Sequence, residues 1–291
     1  MRTILPPQIF SALLGLALIG YRATADSSPP KLPADITINK DAGRGSLLIV
    51  PVKLESGEEL PFVVDTGSSM TLFDTSLESK LGKRVGTMSL ESWGKTKKQP
   101  LYAAPRLYLG GAPLMTGTNV SVMDFKGLSS GAGHPILGML SSDCLKNYCI
   151  QLDFQTGRMR FLETNQVDAA KLGKAFPIVF RGRRPFINHV ALVPGTSTNA
   201  LIDSGFDMDG RVQPEVIQEP GTGRVRLPEC VWDGDIYTNL TVGRGENANL
   251  LGLRFLARHL VTIDFPNRTL YLLRRSAGPL PAAPADSKPT E

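Results

Sequence analysis

Histidine is scarce in this chain: of 291 residues only His134, His189 and His259 are of that type. No two of them stand at a metal-ligand spacing, which argues against a zinc hydrolase and leaves no metal and no cofactor to expect. No run of Lys and Arg is interleaved with aromatics, and basic residues exceed acidic ones by only five, so the charge gives no reason to expect nucleic acid. Cysteine is scarce as well, with Cys144, Cys149 and Cys230. Two readings stand for them: a bridge from Cys144 to Cys149 across a turn with Cys230 left over, or three small buried hydrophobes. No histidine lies near any of the three in sequence, so nothing nominates the base that a cysteine nucleophile needs.

Long apolar runs are also missing. Ile9–Gly20 (IFSALLGLALIG) has twelve residues, short of the roughly 20 that span a bilayer. With Arg2 before it and Ala23-Thr24-Ala25 after it, the segment reads as a secretory signal over residues 1–25. Cleavage there removes Arg2 and Arg22 and no acid, so an excess of five becomes three. The expectation is a secreted or periplasmic protein with no stable membrane anchor after signal cleavage, in a compartment that permits disulfides.

What is present is β signal. A polar, Pro-rich lead-in covers 26–45 and a Pro/Ala tail, predicted disordered, covers 276–291. Between them short apolar runs, Leu47–Leu54, Pro61–Val64, Pro105–Leu109, Ile178–Phe180 and His189–Val193, are punctuated by Gly and Pro. Helices are expected to be few and short, at Asp74–Leu81 and Leu253–His259.

An internal repeat organises these strands. Leu145–Leu162 (LKNYCIQLDFQTGRMRFL) aligns without gaps on Leu256–Leu273 (LARHLVTIDFPNRTLYLL). Upstream of each copy stands an apolar pair closed by glycine, Ile136-Leu137-Gly138 and Leu250-Leu251-Gly252. Further upstream, an apolar strand ends in an acidic turn, Asp65-Thr66-Gly67-Ser68 and Asp203-Ser204-Gly205-Phe206. Three parts repeated in order predict two homologous lobes, 46–165 and 166–275.

Two such turns related by a pseudo-twofold axis would bring Asp65 and Asp203 together. Like charges at hydrogen-bond distance cannot both ionise, so the pair would share one proton and serve as acid and base together. In these motifs the chain resembles the aspartic proteases of the pepsin and retropepsin group, and its lobes resemble two retropepsin subunits fused in one chain.

That resemblance implies a mostly β, bilobal acid-protease fold: two pseudo-twofold-related β-barrel-like lobes with few short helices. It implies an aspartic endopeptidase acting on polypeptide, with catalytic Asp65 and Asp203 supported by Thr66, Gly67, Ser68, Ser204 and Gly205. Since one chain carries both aspartates, a monomer is expected. The resemblance also implies a substrate flap from the first lobe, placed at Met88–Ala103 with Trp93 and Gly94 near its tip. The family's hydroxyl at the fourth motif position bonds the outer oxygen of its aspartate, a role that falls to Ser68 but that Phe206 cannot fill. Asp203 is therefore expected to lose one hydrogen bond to its ionised form, raising the pair's apparent pKa and giving activity at milder pH than pepsin, or else Phe206 crowds the pair and leaves a peptide-binding module without catalysis. Asp207 and Asp209 do not fit a calcium loop and are read as a solvated turn or as added negative charge near Asp203.

Overall fold

The structure is a computed structural model, and it describes residues 31–92, 95–114, 117–217, 223–245 and 247–282. Three sheets account for most of them. A nine-stranded sheet draws on residues 49–141, a seven-stranded sheet on residues 179–252, and a six-stranded sheet takes strands from both halves. Helices are short, as expected: Lys126–Ala132, Ser142–Leu145 and Leu253–Leu256, with a few 3-10 turns. Each sheet ends in two edge strands, and among the described residues none closes into a barrel.

The six-stranded sheet carries the repeat. Its order is Ile36–Thr37, Arg158–Leu162, Cys149–Asp153, His259–Asp264, Thr269–Arg274, Lys174–Pro177. The central strands pair antiparallel, with Gln151 opposite Thr262. These two residues occupy the same place in the two copies of the repeat, so a local twofold axis passes between them, and the Gln151 amide donates to the Thr262 hydroxyl at 3.1 Å. The symmetry reaches the edges, where Ile36 pairs with Met159 and Phe176 with Leu270, the counterpart of Met159. The lead-in is thus part of the fold: Ile36, Ile38 and Ala42 are buried, and apolar burial holds this short edge strand in place.

The nine-stranded and seven-stranded sheets each position one acidic turn. The strand Glu59–Asp65 has a buried run, Phe62-Val63-Val64, and ends at Asp65. It pairs antiparallel with Ile49–Leu54 and parallel with Gly138–Ser141. Thr198–Asp203 repeats this arrangement between Arg184–Val190 and Leu250–Gly252. The Phe62 ring lies against Gly138, where a β-carbon would come within 2.3 Å of it, and it meets Phe73 edge to face at 5.2 Å. Such a pair adds roughly 0.5–1.5 kcal/mol beyond its burial.

The register corrects one expectation. Ser141 pairs with Asp65, and Gly252 pairs with Asp203, so Met139-Leu140-Ser141, not Ile136-Leu137-Gly138, stands where Leu250-Leu251-Gly252 does. The first half has three extra residues between its glycine and the repeat, and they carry Gly138 down to the level of Phe62.

Smaller differences follow from tertiary pairing. The expected helix Leu253–His259 stops at Leu256, because His259 pairs with Arg274 in the central sheet. The expected strand His189–Val193 runs instead from Arg184 to Val190. Cys144, Cys149 and Cys230 are free and buried, and burial pushes the thiols up, Cys149 to about 12 and Cys230 to about 11. Among the described residues no helix is long and apolar enough to cross a membrane.

Candidate active site

The two acidic turns meet, and they interlock. The Thr66 hydroxyl donates to the Ile202 carbonyl at 2.8 Å, and the Ser204 hydroxyl donates to the Val64 carbonyl at 2.7 Å. In return each hydroxyl oxygen accepts the other's amide, Thr66 N–H to Ser204 Oγ at 3.0 Å and Ser204 N–H to Thr66 Oγ1 at 3.1 Å. Both side chains are fully buried. Four mutual bonds satisfy every donor there, as a buried polar cluster requires.

Above this lattice each carboxylate sits over the other turn's glycine. A β-carbon on Gly67 would lie 2.6 Å from Asp203 Cγ, and one on Gly205 would lie 2.4 Å from Asp65 Cγ. Only glycine permits that approach. Asp65 Oδ1 accepts the Gly67 and Ser68 amides at 2.8 and 3.0 Å, whereas among the described residues Asp203 Oδ1 accepts one backbone amide, that of Gly205, at 3.0 Å. Burial raises the pKa of both, and for Asp203 the charge of Asp65 raises it further. The extra amide at Asp65 favours the negative charge there and the shared proton on Asp203, while the two titrate as one pair. Both residues remain partly open to solvent.

Two expectations about the fourth motif position change here. The Ser68 hydroxyl donates to the Met70 carbonyl at 3.1 Å, and it is the Ser68 amide that reaches Asp65. Phe206 does not close over the aspartates. Its ring joins Phe186, Leu201, Leu250 and Ala248 in space left by Gly243 and Gly252, whose added β-carbons would lie 3.4 and 3.0 Å from it.

Asp209 is not in a solvated turn. It is fully buried and accepts from Arg258 Nη2 at 2.6 Å and from the Thr241 amide at 2.7 Å, with Arg254 Nε at 3.6 Å. Six residues past the other aspartate, Thr71 fills the same place and donates to Asp143 at 2.8 Å. Each half therefore props its turn on a buried polar cluster of its own composition. Among the described residues no three His, Cys, Asp or Glu side chains converge as a metal site.

Arg184 belongs to the site and carries no sequence motif. The hairpin Val179–Arg181/Arg184–Val190 turns at Gly182 and Arg183, both at positive φ, a two-residue turn suited to the strand twist. Its tip docks on the first motif, with the Ser142 hydroxyl 2.7 Å from the Ser68 carbonyl and 3.0 Å from that of Arg183. Arg184 Nε then donates to the Gly67 carbonyl at 2.6 Å, and its charge favours the ionised form of both aspartates.

The hairpin expected as a flap exists. Arg84–Ser92 pairs with Lys95–Ala103, beginning four residues before the expected start, and Ser92 faces Lys95. Trp93 and Gly94 lie outside the described residues. In the second half the hairpin Arg224–Trp232/Asp235–Arg244 is tied down at its tip: Trp232 is buried, stacks on Phe176 at 4.7 Å and donates to the His189 carbonyl at 2.8 Å.

Residues 50–143 match a family described as aspartyl protease. No curated protein matches the chain significantly. A crystal structure of the aspartic proteinase from Irpex lacteus is similar in fold, with a TM-score of 0.56 at 16% identity, over 84% of this chain and 97% of that one. Similarity to the aspartyl protease family thus spans the first acidic turn, and the fold of an aspartic proteinase is shared over most of the chain.

Proposed function

We propose that the chain is an aspartic endopeptidase that hydrolyses polypeptides with a water activated between Asp65 and Asp203. The observation that carries this reading is the seating of each carboxylate over the other turn's glycine, above the reciprocal Thr66 and Ser204 bonds. Ionised Asp65 takes a proton from the water, whose oxygen attacks the peptide carbonyl carbon, while Asp203 gives its proton to the carbonyl oxygen. The resulting diol collapses as the C–N bond breaks and a proton passes to the leaving nitrogen, so no covalent enzyme intermediate forms. Phe206, packed among Phe186, Leu201 and Leu250, leaves the water's place unobstructed. The protein would act as a monomer, secreted or periplasmic, after loss of residues 1–25.

The test is to incubate residues 26–291 with a diverse peptide pool from about pH 3 to pH 8, a range that brackets ordinary and raised carboxyl pKa values. Asp65→Asn and Asp203→Asn run alongside, and cuts are read by mass spectrometry. Cleavage by the parent chain that disappears in both variants is expected. A folded parent chain that cuts nothing would overturn the reading.

A further inference from the structure

The two walls beside the aspartates are built at equivalent positions from unlike residues. On the first half, Ile49 faces Val63, two residues before Asp65, within an apolar cluster that includes Met70, Leu72 and Met139. On the second half, Phe186 faces Leu201, two residues before Asp203, and the cluster with Phe206 and Leu250 is small. Guanidinium groups surround it. Arg181 lies 5.1 Å from the Phe186 ring centre and Arg211 lies 5.9 Å from that of Phe206, while Arg184 reaches the Gly67 carbonyl at 2.6 Å.

None of the three arginines forms an ion pair among the described residues, and the Arg211 Nε is buried with no hydrogen-bond partner there. Such a donor is costly to leave unmade. Arg211 feels the charges of Asp203 and Arg184, and Arg184 acts on both aspartates. An acid pair sharing one proton carries one negative charge, and Arg184 with Arg211 carries two positive ones. Among the described residues, one positive charge is left over beside the acid pair.

We infer that the second-half wall at Phe206, with Arg211 against it and Arg184 beside the aspartates, is a subsite for an acidic substrate side chain close to the scissile bond, while the first-half wall takes an apolar one. This rests on the endopeptidase reading for the identity of its ligand as a peptide. A carboxylate there would receive charge-assisted hydrogen bonds from the guanidinium Nη groups. An amide of the same shape would make weaker ones.

The experiment uses peptides carrying a non-cleavable hydroxyethylene group in place of the scissile bond, identical except for Glu or Gln at the residues flanking it, with binding measured by calorimetry. The cleavable versions are assayed in parallel. Preference for Glu by about 10-fold or more near pH 5.5 is expected, collapsing toward equality by about pH 3 as the ligand's carboxyl protonates. In Arg211→Gln and in Arg184→Gln the preference should fall several-fold, and Arg211→Lys should restore part of it. Equal binding of the two ligands by the parent chain, or binding of neither, overturns the inference without depending on any variant's folding. Preferential binding of the Glu ligand with no cutting of any peptide would sink the endopeptidase reading and leave the subsite standing. Cutting without acidic preference would do the reverse.

Discussion

Thr66 and Ser204 each donate a hydroxyl proton to the carbonyl of the residue just before the other turn's aspartate, Ile202 and Val64 respectively. Two turns separated by more than a hundred residues are thereby fixed to each other by their backbones. Either single change, Thr66→Ala or Ser204→Ala, strands buried carbonyl and amide groups and should cost about 1–3 kcal/mol. The double variant should lose less than the sum, since both belong to one network. Urea unfolding of the four proteins would show it, and strictly additive losses would contradict a shared lattice.

Gly67→Ala and Gly205→Ala should separate catalysis from folding. Each new methyl group would stand 2.6 or 2.4 Å from the facing carboxyl carbon, so the aspartates must move apart. A displacement of this size at the reacting groups costs roughly 100-fold in rate. Peptide turnover should fall that far while circular dichroism stays that of the parent.

Asp203→Asn should raise stability at neutral pH while ending catalysis. Burial and the Asp65 charge hold the folded Asp203 pKa well above 3.8. The folded state then binds more protons than the unfolded one across the window above pH 3.8, and stability falls as pH rises through it. An uncharged amide at this position escapes that loss. Thermal unfolding at pH 7 should show a higher Tm for the variant than for the parent chain, and a lower one would contradict the assignment.

His259 sets an opposite limit in acid. It is buried, its ring nitrogens lie 3.0 Å from the Tyr237 hydroxyl and 3.1 Å from the Phe255 carbonyl, and burial depresses its pKa to about 4. Unfolded histidine titrates near 6.5, so the unfolded chain binds the extra proton first as pH falls. Stability contributed by the neutral ring is whole above about pH 6.5 and is lost progressively toward pH 4, by about 3 kcal/mol at most. Denaturant midpoints between pH 7 and pH 4 should drop more in the parent than in His259→Gln.

The three thiols should resist Ellman's reagent in the native protein and react fully only on unfolding. All are buried, and burial favours the protonated form, whereas the thiolate is the reactive species.

Much of the site was legible because its chemistry is local. An apolar strand, an aspartate, a hydroxyl residue and a glycine fall within a few consecutive positions, and the repeat Leu145–Leu162/Leu256–Leu273 announces their symmetry. What was not legible depends on partners far away in sequence. Asp209 looks like a surface acid until Arg258 arrives 49 residues later, and Arg184 has no motif because its target is the Gly67 carbonyl, 117 residues earlier. The equivalence of Gly138 with Gly252 failed for a different reason: three extra residues shift the parallel pairing, and only the register reveals it. Phe206 was legible as a departure, but where its ring goes depends on Gly243 and Gly252.

The strand pairing about Gln151 and Thr262 also imposes an order of assembly. The nine-stranded sheet needs nothing beyond residue 141, whereas the six-stranded sheet joins Ile36–Thr37 to a set of strands ending at Arg274. Pairings of such long sequence separation bear a high loop-closure cost and form late. A chain emerging from its N-terminus can therefore shape the first aspartate's surroundings early, yet it cannot bring the second aspartate against the first until nearly all of it is available. The acid pair is in that sense timed by topology: it closes only when the whole chain is there to fold.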